Sequence, residues 1–174
     1  FVSGDYHIGY SDAIDTMTLS EEKEQISQSV EYVLNEYNPT SFIVNGDVFH
    51  QFKPPSSEAR ELIRNMTARI EVENCEFICI EGNHDKSAKS EYPNLLNFQP
   101  ETIVNSNGQK IVVTHGHKKP ESNGDLYILS HLHPIVTING IKWPTYLYGN
   151  ETVEESDVLI LPAFTNYQDG VTMS

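Results

Sequence analysis

The feature that most constrains this chain is the placement of its seven histidines. His7, His50, His84, His115, His117, His131 and His133 each fall at the carboxyl end of a short apolar run that reads as a strand. The runs end abruptly, as where Phe77-Ile78-Cys79-Ile80 gives way to Gly82-Asn83-His84-Asp85. A glycine, an amide, an imidazole and a carboxylate are poor core material. They are good material for a metal or phosphate site at a strand's carboxyl end, where open α/β sheets place their ligands. Singly, each histidine is more often structural than ligating. Jointly, with Asp5, Asp47, Asn83 and Asp85 at the same ends, they point to a metal site.

The segments between them set the fold class. Phe1-Val2-Ser3 reads as a strand that ends in Gly4-Asp5-Tyr6-His7. Asp5 and His7, two apart, are expected to point the same way because strand side chains alternate with period two. A helix is predicted from about Leu19 to Tyr37. Thr18 and Glu21 have capping-box spacing, and Ile26, Val30, Val33, Leu34 and Tyr37 form one apolar stripe before Asn38-Pro39 ends it. Ser41 to Val44 is a second strand, running into Asn45-Gly46-Asp47-Val48-Phe49-His50. Ser56 or Ser57 caps a second helix to about Val72, with Leu62, Ile63, Met66 and Ile70 as its stripe. Phe77 to Ile80 is the third strand. Alternating strands and helices imply right-handed crossovers and a parallel sheet, which brings these polar ends to one edge.

The second half changes character. Lys86 to Pro100 is polar and irregular, with Tyr92 and Leu95-Leu96 as anchors. Thr102 to Val104 and Lys110 to Thr114 flank the turn Ser106-Asn107-Gly108, and the latter strand ends in His115-Gly116-His117. Leu126 to Leu129 runs into Ser130-His131-Leu132-His133-Pro134. Ile135 to Ile138 and Ile141 to Tyr148 flank Asn139-Gly140, a strong hairpin signal, and Val158 to Leu161 is the last strand. Strands without helices between them imply a second, largely antiparallel sheet. The expected class is α/β, or α+β by some schemes: one domain over residues 1–174, long enough to bury a sizeable core. Phe1 already reads as lying inside a strand, so the chain is expected to be trimmed at its N-terminus.

Charge decides less than it seems to. A net charge of −14 repels nucleic acid at long range, yet bound divalent cations would invert the sign locally. The acidity also suits a high-salt cytoplasm, where fields are screened within a few ångströms. Cys75 and Cys79, if both lie in one extended segment, sit roughly 13 Å apart, too far for a disulfide. Two unpaired thiols fit a reducing compartment. No apolar run reaches the length of a membrane span and no basic-then-apolar leader is present, so a cytoplasmic location is expected.

The candidate ligands are oxygen and nitrogen without thiolate, a set suited to Mn, Fe, Zn, Co or Ni. They exceed what one ion needs. A pair of ions ~3.5–4 Å apart with a bridging carboxylate would use them all, and the usual work of such a pair is in-line attack on a phosphoryl group.

Asp5-x-His7, Gly46-Asp47, Gly82-Asn83-His84-Asp85, His115-Gly116 and His131-x-His133 occur in that order over nearly the whole chain. Together they resemble the five blocks of the calcineurin-like metallophosphoesterases. The resemblance implies a two-sheet mixed β-sandwich flanked by helices, and two divalent transition metal ions, manganese foremost. It implies that Asp5, His7 and His133 hold one metal, that Asn83, His115 and His131 hold the other, and that Asp47 bridges them. His84 matches the family's non-ligand histidine, which contacts the phosphate and helps protonate the leaving group, with Asp85 orienting it. His50 and His117 have no assigned role and are candidates for outer contacts to ligands or substrate. Ser130 stands where glycine is usual.

The finer pattern, including Leu161-Pro162-Ala163-Phe164, looks like the small metallophosphoesterases associated with a DNA ligase or helicase in bacteria and archaea. It implies a phosphodiesterase that uses metal-bound hydroxide, with DNA and DNA-repair proteins as partners. A phosphomonoesterase acting on small nucleotides and a catalytically silent scaffold of the same fold are the alternatives. Nothing in the sequence points to a membrane partner or fixes the oligomeric state.

Overall fold

The computed structural model describes residues 1–12, 17–153, 156–165 and 170–173, with the backbone alone over 151–153. Strands β1 (Val2–Ser3), β2 (Ser41–Asn45), β3 (Glu76–Ile80) and β4 (Phe98–Gln99) form one sheet in that order, parallel throughout. Helix α1 (Leu19–Tyr37) joins β1 to β2, and α2 (Ser57–Val72) joins β2 to β3. Both start where the sequence places them. Thr18 and Glu21 close a complete capping box, and Ser56 Oγ accepts from the amide of Ala59. Asn38 ends α1 in the left-handed conformation, φ 42°.

The second sheet has the order β10 (Leu147–Val153), β11 (Ser156–Ile160), β7 (Leu126–Leu129), β6 (Gln109–Thr114) and β5 (Glu101–Ser106). It is mixed, not largely antiparallel: β11, β7 and β6 run parallel, and only the outer pairs are antiparallel. A loop joins β6 to β7, and β8, β9 and β10 intervene between β7 and β11, so neither connection carries a helical period to betray the crossover. A third, three-stranded sheet joins β12 (Thr172–Met173), β8 (Ile135–Ile138) and β9 (Ile141–Pro144). The run expected as one strand from Ile141 to Tyr148 is thus two, parted at Thr145, whose amide donates to the Pro134 carbonyl. The stretch after His84 holds a short helix, α3 (Lys86–Glu91), and β4, where an irregular segment was expected.

Each face of the central strands has its own core. Phe42 and Val44 pack with Ile26, Val30, Leu62 and Ile63 beneath the helices. Ile43 and Ile80 face Val113 in the sandwich between the two large sheets. Asn45 stitches that sandwich with its side-chain amide, which donates to the carbonyls of Thr114 and Ile128 at 2.9 and 3.3 Å. Tyr37, predicted on the buried stripe of α1, is instead 65% exposed as the last residue of the helix. Cys75 and Cys79 are free and buried. Since β1, β2, β3, β6 and β7 share a direction within their sheets, their carboxyl ends meet along one edge of the sandwich.

Candidate metal centre

The loops leaving these strands are not extended. Asp5, His7, Asp47, His131 and His133 all have positive φ, between 43° and 69°. Asp5 and His7 share a direction through two left-handed residues and not, as expected, through the pleat of a strand. Asp, Asn and His tolerate this region better than most residues, yet it is strained. Backbone bonds hold it: the amides of Asp5 and His7 donate to the carbonyls of Gly46 and Asp47, and those of Ile8 and His50 continue the ladder.

The side chains converge. His133 Nε2 lies 3.1 Å from Asp5 Oδ1 and 3.3 Å from His7 Nε2. Asp47 Oδ2 lies 3.3 Å from His115 Nε2, 3.8 Å from His84 Nε2 and 3.9 Å from His7 Nε2. Asn83 Oδ1 is 3.3 Å from His115 Nε2. Ligand atoms of Asp5, His7 and His133 form one tight group, those of Asp47, His115 and His131 another, and Asp47 also groups with His7 and His84. The expected ligands are therefore brought together, with Asp47 between the two sets.

The donor chemistry fits cations. His115 Nδ1 sits 2.9 Å from the Asn45 carbonyl, which can only accept, so Nδ1 carries the proton and Nε2 offers its lone pair to the site. That lone pair then faces Asp47 Oδ2 and Asn83 Oδ1, an arrangement of acceptors that calls for positive charge between them. Asp5 Oδ1 is buried with no hydrogen-bond partner. Burial holds His7 in its neutral, ligating form, its pKa lowered to about 3, with neighbouring His133 and His84 adding to the fall. Burial likewise lowers His131, as does the nearby His115. Asp47 stays ionised: burial opposes its charge, but His115, which in the absence of a cation takes a second proton on Nε2 because Asp47 and Asp5 outweigh its own burial, and the His84 amide hold its carboxyl below the usual range.

His84 borders the cluster beside Asp47 and His7. Its amide donates to Asp47 Oδ1 at 2.9 Å, and its Nδ1 is held by the His50 carbonyl, which aims Nε2 at the cluster. The orienting contact expected from Asp85 is therefore supplied by His50. Asp85 is fully buried, and its carboxylate accepts from the amides of Gly82 and Phe49 at 2.9 and 3.1 Å, pinning one ligand loop to another. Burial, then the field of Asp47, raises its pKa to about 7. Gly82 lies where β3 gives way to the ligand loop. A Cβ there would overlap the amide and carboxylate of Asp47, so the glycine exists for close approach.

His50 packs edge-on to His7 and Tyr10, at 5.4 and 4.8 Å between ring centroids. The His117 ring lies 5.2 Å from His115, and burial, then His115 and Lys118, lowers its pKa to about 4. Three residues of the site were not anticipated. Glu22 is wholly buried and accepts from the amides of Gly9 and Tyr10 and from Ser11 Oγ, at 2.8, 3.0 and 2.6 Å, tying down the loop after His7. Its signal is visible in retrospect: Glu22 stands four residues before Ile26, on the apolar stripe of α1. Asn45 had a signal only as one more polar residue at a strand end. Phe52, stacked on His84, had none.

Oxygen and imidazole donors in two groups sharing a carboxylate, set at one edge of a two-sheet sandwich, are the kind of arrangement that two-metal enzymes use. The family model of the calcineurin-like phosphoesterases matches residues 1–165, and the chain belongs to that family. Among solved structures it is similar in fold to the nuclease MPE of Pseudomonas putida (TM-score 0.73, 19% identity, 99% of this chain and 78% of that one). An archaeal phosphodiesterase is also similar (TM-score 0.52, 16% identity, 95% and 84%). So is the Escherichia coli phosphoesterase Yfce (TM-score 0.52, 17% identity, 95% and 82%). No curated protein matches the chain. No helix among the described residues is long and apolar enough to cross a membrane.

Proposed function

We propose that this protein hydrolyses phosphodiesters with two divalent transition metal ions, manganese foremost. Asp5, His7 and His133 hold one ion, Asn83, His115 and His131 the other, and Asp47 bridges them. The observation that carries the reading is the position of Asp47 Oδ2, within 3.3 to 3.9 Å of Nε2 of His115, His84 and His7. When bound, the cations neutralise charge on the phosphoryl group and lower the pKa of water. His84, protonated on both ring nitrogens, gives the Nε2 proton to the leaving oxygen while its Nδ1–H stays on the His50 carbonyl. Asp85 keeps the Gly82 and Phe49 loops in register, which places His84. His50 and His117 are outer contacts to ligands and substrate.

The similarity to the Pseudomonas nuclease and the archaeal phosphodiesterase supports a diester, and DNA within that class. The free buried thiols of Cys75 and Cys79 support a cytoplasmic setting. The test compares bis-p-nitrophenyl phosphate with p-nitrophenyl phosphate in Mn²⁺ for wild type, Asp47→Asn and His84→Ala. The diester is the better substrate, Asp47→Asn abolishes turnover, and His84→Ala lowers kcat by roughly 10²- to 10⁴-fold with metals still bound. Turnover that survives Asp47→Asn sinks the mechanism, and preference for the monoester sinks the substrate class.

A further inference from the structure

The loop after β2 presents an aromatic ring that the core does not use. Phe52 is 67% exposed, yet its ring lies 4.0 Å from that of His84 at an interplanar angle of 23°. A phenyl group left in water forfeits the burial that normally justifies it. Holding His84 in place does not account for it, because that ring is already fixed at Nδ1 by the His50 carbonyl and at its amide by Asp47. Pro54 and Pro55 follow and restrict the backbone of the loop. Gln51, Lys53 and both prolines line a cavity of about 300 Å³ with Ile8 and Phe49, on a wall that includes neither Phe52 nor His84. The site therefore offers, one ring's thickness beyond the imidazole, an open aromatic surface.

We infer that Phe52 is a stacking platform for a nucleobase on the leaving-group side of His84, so that the site selects diesters whose leaving alcohol is a nucleoside. This rests on the phosphodiesterase reading above. A base must be free of its own stack to lie on a protein ring, so the platform suits single strands or free dinucleotides and not paired duplex. Short substrates also suffer least from the repulsion of a chain with net charge −14.

The test uses thymidylyl-(3′→5′)-thymidine and its analogue with a tetrahydrofuran in place of the leaving nucleoside. Both present the same scissile bond and similar alcohols, and differ in the base. Wild type has the lower KM for the dinucleotide by roughly 5- to 150-fold, the range that stacking of one base on one aromatic ring supports. In Phe52→Leu the ratio of the two KM values collapses toward one, and in Phe52→Trp it persists. Equal KM values for the two diesters in wild type overturn the inference, as does an equal loss on both in Phe52→Leu, which would make Phe52 a prop for His84. A thymidylate oligomer with a KM below that of the dinucleotide assigns the natural source to single strands, and equal values assign it to free dinucleotides.

A second readout needs neither metal nor turnover. In saturation-transfer NMR on metal-free protein, the base protons of thymidine receive saturation in wild type and lose it in Phe52→Leu. Saturation of the base without cleavage of either diester leaves the platform standing and overturns the phosphodiesterase reading. Diester cleavage without saturation of the base does the reverse.

Discussion

Glu22→Ala tests how the fold carries the site. The carboxylate is wholly buried and receives three donors from the segment that follows His7. Truncation leaves the buried Gly9 amide without its acceptor, at about 1–3 kcal/mol, while Tyr10 and Ser11, only part-buried, recover some of theirs from water. Bonds to a charged acceptor are worth about 1.5–3 kcal/mol each, and relief of the carboxylate's desolvation offsets part of that loss. The net expectation is about 2–4 kcal/mol, a large share of the ~5–15 kcal/mol that holds a typical domain together. Urea denaturation of metal-free protein measures it, with Glu24→Ala as the control. Glu24 is exposed on the same helix and, among the described residues, accepts from Gln28, so its loss stays within about 0.5 kcal/mol. Calorimetric titration with Mn²⁺ supplies the second measurement. The loop that presents His7 is loosened, and affinity falls by roughly 10- to 100-fold, as when a partner of a ligand is removed. A Glu22→Ala protein as stable as the Glu24→Ala control, with unchanged affinity, would refute the claim that this carboxylate positions the loop.

Gly82→Ala pushes a Cβ into the amide and carboxylate of Asp47, so it destabilises by several kcal/mol and weakens metal binding; a melting temperature within 2 °C of wild type counts against that packing. Asp85 holds its proton more tightly folded than unfolded, so its contribution to stability is full below about pH 4 and lost as pH rises through about 7. In metal-free protein, Asp85→Asn accordingly narrows the gap between urea midpoints at pH 5 and pH 8, and an unchanged gap contradicts the shift. Saturating Mn²⁺ at a hundred times its Kd stabilises wild type by about 2.7 kcal/mol, and Asp47→Asn loses most of that gain. Cys79 is buried and its thiol raised by burial and by Asp85, and Cys75 is buried too, so neither reacts with a thiol reagent at pH 8 until urea unfolds the chain.

The helices were legible because each carries its whole signal locally. Thr18 with Glu21, Ser56, and stripes at spacings of three and four suffice to start, stop and orient α1 and α2. The second sheet was harder, since the parallel pairing of β6, β7 and β11 depends on long connections that no local period records. The convergence of the candidate ligands was legible from residue types at strand ends and their grouping from the family resemblance, whereas the contacts supporting them were not. Asp85 reads as a partner of its neighbour His84, but folding turns its carboxylate toward Gly82 and Phe49. His84 is oriented instead by a backbone carbonyl, and any residue at position 50 has one.

The same limit explains the most consequential difference between sequence and structure. The pair Asp5 and His7 satisfies a period-two rule that the backbone does not follow, because both residues are left-handed, as are Asp47, His131 and His133. Such conformations cost of order 1 kcal/mol or more each, so five of them in one site are strain that something else must hold. Hydrogen bonds brace them: the Asp5 and His7 amides bonded to Gly46 and Asp47, the His131 amide bonded to Asp5 Oδ2 at 3.0 Å, and Glu22 beneath the following loop. These bonds belong to the fold and need no ion. The strain is therefore sustained by bonds within the fold, and Glu22, remote from the clustered side chains, acts on them through the loop that presents His7, which is why its loss is expected to weaken metal binding.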